Sequence, residues 1–192
     1  MGIRGFSYTG RMSKGFAVRR LDVKAFAEQG GQLVGQDTVA AHERLAAETQ
    51  GREGGSAVTW SLAGELRHPG HLQPEVWLHL QARTALSLIC QRCLAPVLVP
   101  VLVDRSFRFV EDEQTAAAQD DQSEEDVLAM SSSFDVIELI EDELLMELPV
   151  APRHEVCPDP VKTVAADPEF GQDTVQRQNP FALLEKLKTN KK

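Results

Sequence analysis

Cys90 and Cys93, in the stretch Leu88-Ile89-Cys90-Gln91-Arg92-Cys93-Leu94, stand two residues apart, and His154 and Cys157 repeat that spacing far downstream. Such a Cys-x-x-Cys pair forms a knuckle that aims two sulfurs at one metal ion. Together the four residues carry the donor types of a tetrahedral Cys₃His zinc site. Four protein donors leave no position for water, so one zinc ion held this way is structural, and Arg92 inside the knuckle offsets part of the thiolate charge. A competing reading makes Cys90 and Cys93 buried thiols near a strand end, Cys157 a free loop cysteine and His154 a polar loop residue. A redox pair fits poorly, because reactive Cys-x-x-Cys motifs sit at helix N-termini and this one falls between strand-like segments.

The segments that must position these donors follow from periodicity. Val58, Trp60, Leu62 and Leu66 share a parity against Thr59, Ser61, Glu65 and Arg67, which predicts a strand. His68-Pro69-Gly70-His71 reads as a turn. Val76, Leu78 and Leu80 open a second strand that runs to Cys90, and Val97, Val99, Val101 and Val103 keep step on a returning strand over 96–109. The result is an antiparallel β meander with the cysteines at a hairpin tip. Leu33-Val34 and Val127 to Met130 predict further short strands. Helices are predicted over Leu21–Gln29, capped by Asp22 with Phe26 inward, and from a cap at Asp37 or Thr38 to about Thr49, with Val39, His42, Leu45 and Ala46 on one face. In the helix Asp135–Glu147, Ile137, Ile140, Leu144 and Leu148 make the apolar stripe, widened by Val136 and Leu145, with Glu138, Glu141, Asp142 and Glu143 mostly opposite. Pro149 and Pro152 then extend the chain towards His154.

At the C-terminus, Asn179 is a good N-cap and Pro180 fits the first helical turn. Phe181, Leu184 and Leu187 line one side of this short amphipathic helix, and Lys186 and Lys188 suit its negative end. The fold class is therefore α+β: an antiparallel meander, packed helices and a C-terminal amphipathic helix. Three parts are expected: a basic flexible lead-in at 1–20, a core domain at 21–165, and a linker with the terminal helix at 166–192.

Composition bounds the rest. The 192 residues carry a net charge of −9, with 42% apolar residues, enough for one core. Residues 1–20 hold five basic residues and no acid, whereas 101–150 hold fifteen acids against Arg105 and Arg108. Eight of those acids lie in 111–126, a stretch so poor in apolar residues that a mobile acidic loop is expected. No apolar run approaches the ~20 residues of a membrane span, and the first residues lack a signal-peptide pattern, so a cytoplasmic location is expected. In that compartment the three cysteines favour metal or buried thiols over disulfides. No Ser/His/Asp arrangement, paired acids at a strand end or glycine-rich phosphate loop is visible, so no enzyme is expected.

Three motifs occur in an order that resembles one family. They are Cys90-Gln91-Arg92-Cys93-Leu94; the run from Ile140-Glu141-Asp142-Glu143-Leu144-Leu145 through Leu148-Pro149-Val150-Ala151-Pro152-Arg153-His154; and Asn179-Pro180-Phe181-Ala182-Leu183-Leu184-Glu185-Lys186-Leu187-Lys188. They resemble the YceD family, the bacterial large ribosomal RNA subunit accumulation protein, over roughly residues 20 to 190. Family members vary in the spacing between the histidine and the last cysteine. The resemblance implies a role in the synthesis, processing or stability of 23S rRNA, with the 23S precursor or an early large-subunit particle as partner. Ribosomal proteins are possible further partners, and no membrane or small-molecule substrate is implied. Arg92, Phe181, Lys186 and Lys188 are the candidate RNA or partner contacts. The rival expectation is a zinc-stabilised adaptor that recruits a ribosomal protein or a nuclease through its acidic loop.

Overall fold

In the computed structural model, the strands follow the alternation in the sequence. The structure describes residues 15–52, 56–68 and 73–159. The basic lead-in up to residue 14, the turn at 69–71, and the linker and C-terminal helix with Phe181, Lys186 and Lys188 lie outside the described residues.

Four strands, β1 (Gln32–Thr38), β2 (Ala57–Arg67), β3 (Glu75–Ile89) and β4 (Pro96–Val110), pair antiparallel in chain order. Val58, Trp60 and Leu62 of β2 point into the core, as do Val76, Leu78 and Leu80 of β3 and Val101 and Val103 of β4. Helix α1 (Val23–Glu28) starts at Asp22, whose carboxylate accepts from Ala25 N at 2.9 Å. Its Phe26 fills a gap in the sheet left by Gly64. A Cβ at Gly64 would stand 2.6 Å from Phe26 Cδ1 and 3.0 Å from the Ala27 Cα, so only glycine lets α1 seat this closely.

The sheet is mixed rather than a pure meander. A fifth strand, β5 (Asp126–Ala129), runs parallel to β4. Parallel neighbours need a crossover, and the acidic stretch supplies it. The expected acidic loop over 111–126 instead contains helix α3 (Glu113–Asp120). Burial of large side chains does not hold this helix. Asp112 caps it through Thr115 N at 2.8 Å, and Asp120 Oδ1 accepts from Val127 N at 3.0 Å. Arg108 of β4 donates to Gln119 and Ser123 at 2.8 and 2.9 Å. Polar bonds, which an apolar count misses, order the segment.

The helix expected from Asp37 or Thr38 is divided into a single 3₁₀ turn, Val39–Ala41, and helix α2 (Glu43–Thr49). Asp37 is not a cap; its carboxylate accepts from Trp60 Nε1 at 2.8 Å. His42, at the N-cap of α2, makes no side-chain capping bond. Glu141 supplies the cap from 96 residues away, its Oε1 accepting from Arg44 N at 2.7 Å and Leu45 N at 3.2 Å. Glu141 belongs to helix α4 (Val136–Met146), which begins at Asp135 as the sequence indicates. The buried stripe of α4 differs in two places. Leu139 is buried where Ile137 is only partly so, and Glu143, expected outside, is buried beside Arg105 of β4 at 3.7 Å. Desolvation raises the Glu143 carboxyl pKa, and nearby Asp126 adds to the rise.

Candidate metal centre

The tip between β3 and β4 is a six-residue knuckle closed by two backbone bonds. Cys90 N donates to Ala95 O, and Leu94 N donates to Cys90 O, both at 2.9 Å. The turn is tight enough to force Leu94 into the left-handed region at φ 61°, a conformation that costs a side-chain-bearing residue about 1–2 kcal/mol. That turn leaves both sulfurs on the same side of the tip. The segment after α4 then returns to meet it, and Gln91 N donates to Pro152 O at 2.8 Å.

Across this tie the four sequence-predicted donors converge. The donor atoms of Cys90, Cys93, His154 and Cys157 all lie within 4.8 Å of one another. Tetrahedral zinc with Zn–S bonds near 2.3 Å holds its donors about 3.8 Å apart, so the cluster needs only a small contraction. The histidine is set for ligation. His154 Nε2 donates to the Pro96 carbonyl at 3.0 Å, which leaves the Nδ1 lone pair facing Cys93 Sγ at 3.4 Å. A backbone acceptor on the distal nitrogen is the usual device that fixes a ligand histidine's tautomer. Cys90 is fully buried; the other three are partly exposed.

The thiol electrostatics suit a metal. Burial raises the Cys90 pKa, but the backbone N–H groups of Cys93, His154 and Arg92 outweigh it and bring the thiol down to about 5. Cys157 is pushed up by burial, then by bonds to the Cys93 and Cys90 sulfurs and by their charge. Cys90 is thus biased towards the thiolate a metal needs, and Cys157 towards a thiol whose proton a cation would displace.

The match to known families falls on this part of the chain. Residues 78–188, more than half of the protein, match the model of the large ribosomal RNA subunit accumulation protein YceD. The chain belongs to the YceD family. The match begins within β3 and includes all four donors. The description of the YceD family places the chain with accumulation of large-subunit ribosomal RNA and names no reaction. No solved structure matches the chain. No helix among the described residues is long and apolar enough to cross a membrane.

Arg92 is exposed on the knuckle, as is Arg153, which sequence reasoning passed over, next to His154. Sequence reasoning also missed a Ser–His–Glu chain, because its members lie on three different strands. Glu65 of β2, His79 of β3 and Ser106 of β4 meet on the sheet face opposite the core. His79 Nε2 bonds Glu65 Oε2 and His79 Nδ1 bonds Ser106 Oγ, each at 2.8 Å. A carboxylate only accepts, so Nε2 carries a proton, and in the neutral ring the serine hydroxyl donates to Nδ1. Acyl transfer also needs convergent N–H donors for an oxyanion. Strand N–H groups lie in the plane of the sheet, not above its face. With Arg67 stacked on Trp77 at 4.0 Å and bonded to Glu65, the group is a cross-strand network that ties β2, β3 and β4.

Proposed function

We propose that this YceD-family protein is a cytoplasmic, non-enzymatic ribosome-biogenesis factor. It acts on the 23S rRNA precursor or an early large-subunit particle, and supports synthesis, processing or stability of that RNA. The observation that carries the reading is the convergence of Cys90, Cys93, His154 and Cys157 within the segment that matches the family. These residues hold one structural zinc ion, which cross-links the hairpin tip to the chain after α4. The ion supplies no reaction; it keeps two loops in register so that their exposed side chains form one surface. Arg92 on that surface, with Phe181, Lys186 and Lys188 of the C-terminal segment, makes the RNA or partner contacts.

Ultraviolet crosslinking of the tagged protein in growing cells, followed by sequencing of the attached RNA, tests this. Crosslinks concentrated in the 23S precursor are expected. Ribosomal proteins that remain bound after RNase, with no RNA crosslinks, would refute direct action on RNA. That outcome would favour the second reading, an adaptor that recruits a basic ribosomal protein or a nuclease through residues 111–126. The observation favouring the adaptor is α3, an ordered helix bearing exposed Glu113 and Asp120, which lowers the entropy cost of docking there.

A further inference from the structure

A cleft of about 130 Å³ opens beside the donor cluster. Its polar lining is Glu48 and Gln50, at the end of α2, and Gln91 in the knuckle; Leu148, Pro149 and Pro152 form an apolar wall. Both sides are tied to the metal site. Gln91 lies between Cys90 and Cys93, and Pro152 precedes His154, with the 2.8 Å bond from Gln91 N to Pro152 O joining them.

The polar groups divide into donors and acceptors. Gln50 Oε1 accepts from Arg52 at 3.3 Å, and the Gln50 amide N–H groups make no bond to a described residue. Gln91 Nε2 donates to Ile89 O at 3.3 Å, and its side-chain carbonyl oxygen accepts from no described residue. The Glu48 carboxylate is a second acceptor. A donor and two acceptors beside a proline and leucine wall are group types that recognise the edge and face of a nucleobase, and a carboxylate favours a base with an exocyclic amino group. Arg92 and Arg153 directly follow the lining residues Gln91 and Pro152. Both are exposed, and neither is in an ion pair with a described residue. Guanidinium groups on residues that adjoin the lining in sequence suit the phosphates that flank a bound nucleotide.

The geometry points to a single-stranded RNA site, in which the cleft takes one unstacked base and Arg92 and Arg153 take its flanking phosphates. The assignment rests on the direct RNA contact proposed above. It adds the class of RNA, unpaired rather than duplex, and four residues: Glu48, Gln50, Gln91 and Arg153. Bases in a duplex are stacked and paired, so none can enter a cleft of this size without being extruded.

The test uses the full chain loaded with zinc and fluorescence anisotropy with labelled, unstructured RNA and with a duplex of equal length, over a range of salt. Single-stranded RNA should bind more tightly than duplex. Exchanging both arginines, Arg92→Gln with Arg153→Gln, should weaken binding about tenfold or more and lower the log–log salt slope by about 1.4, near 0.7 per phosphate lost. Gln91→Ala with Gln50→Asn should weaken binding with the slope unchanged; asparagine is chosen because position 50 is left-handed, at φ 52°. Zinc content and thermal midpoint of each variant report whether it is folded. If the protein binds RNA but both variants match the unaltered chain, the cleft assignment fails and RNA contact elsewhere survives. If the unaltered protein binds no RNA, both the cleft and direct RNA contact fail. Preference for duplex overturns the cleft alone.

Discussion

Replacing Glu141 with alanine should remove the cap of a helix almost a hundred residues away in the chain. The N-cap residue of α2, His42, makes no side-chain bond to the helix, so the Arg44 and Leu45 amides depend on Glu141 Oε1, at 2.7 and 3.2 Å. Loss of a cap costs about 0.5–2 kcal/mol, and hydrogen bonds to a charged acceptor are worth about 1.5–3 kcal/mol. The pairing of Glu141 with the Arg44 side chain is half exposed and adds little. Glu141→Ala should therefore cost about 2–3 kcal/mol, which at ~2–4 °C per kcal/mol for a chain of this size lowers Tm by about 5–10 °C. Glu141→Gln keeps an oxygen for the amides and loses only the charge, so it should cost about 1 kcal/mol.

The pH dependence follows from the carboxyl. Burial raises the Glu141 pKa, but the Leu45 N–H, the Arg44 side chain and the Arg44 N–H outweigh it, and the pKa falls below the usual 4.5. A depressed pKa contributes stability that is present above the unfolded value and lost as pH falls through the folded one. The gap between Glu141→Ala and the unaltered protein should thus be full near neutrality and shrink below pH 4.5. Urea unfolding by circular dichroism measures the cost, and hydrogen exchange at the Arg44 and Leu45 amides locates it. A loss under about 0.5 kcal/mol, the range of an ordinary surface substitution, or unchanged exchange at those two amides would refute the tertiary cap.

Purified protein should carry about one zinc per chain, and Cys93→Ser or Cys157→Ser should abolish it, as read by elemental analysis; affinity should fall as pH drops, because the sulfurs must be deprotonated to bind. Gly64→Ala should cost about 1–3 kcal/mol through collision with Phe26 and the α1 backbone, and the cost should shrink in a Phe26→Leu background, which a double-mutant cycle in urea would detect. His42 is 1% exposed, and neither ring nitrogen has a hydrogen-bond partner among the described residues. His42→Phe should therefore raise stability by about 1–2 kcal/mol in thermal melts, and a destabilised variant would mean that the imidazole is satisfied in solution.

Much of the framework was legible in the chain because local rules govern it. Period-two alternation located β2, β3 and β4, and Asp22 and Asp135 marked the starts of α1 and α4, since a strand face or a capped turn is decided by residues a few positions apart. Ligand chemistry and the repeated x-x spacing singled out Cys90, Cys93, His154 and Cys157. The family motifs pointed to large-subunit ribosomal RNA, and the match over residues 78–188 agrees. Other features depended on partners distant in sequence. Whether the two donor pairs meet depends on where α4 releases the chain, and the Pro96 carbonyl that presents His154 Nδ1 lies 58 residues away. The cap on α2, the burial of Glu143 beside Arg105 and the ordering of the acidic stretch by Arg108 likewise join distant segments. Periodicity records which face of an element is apolar; it carries no record of which distant polar group will stand opposite. Those pairings exist only once the sheet and helices have packed.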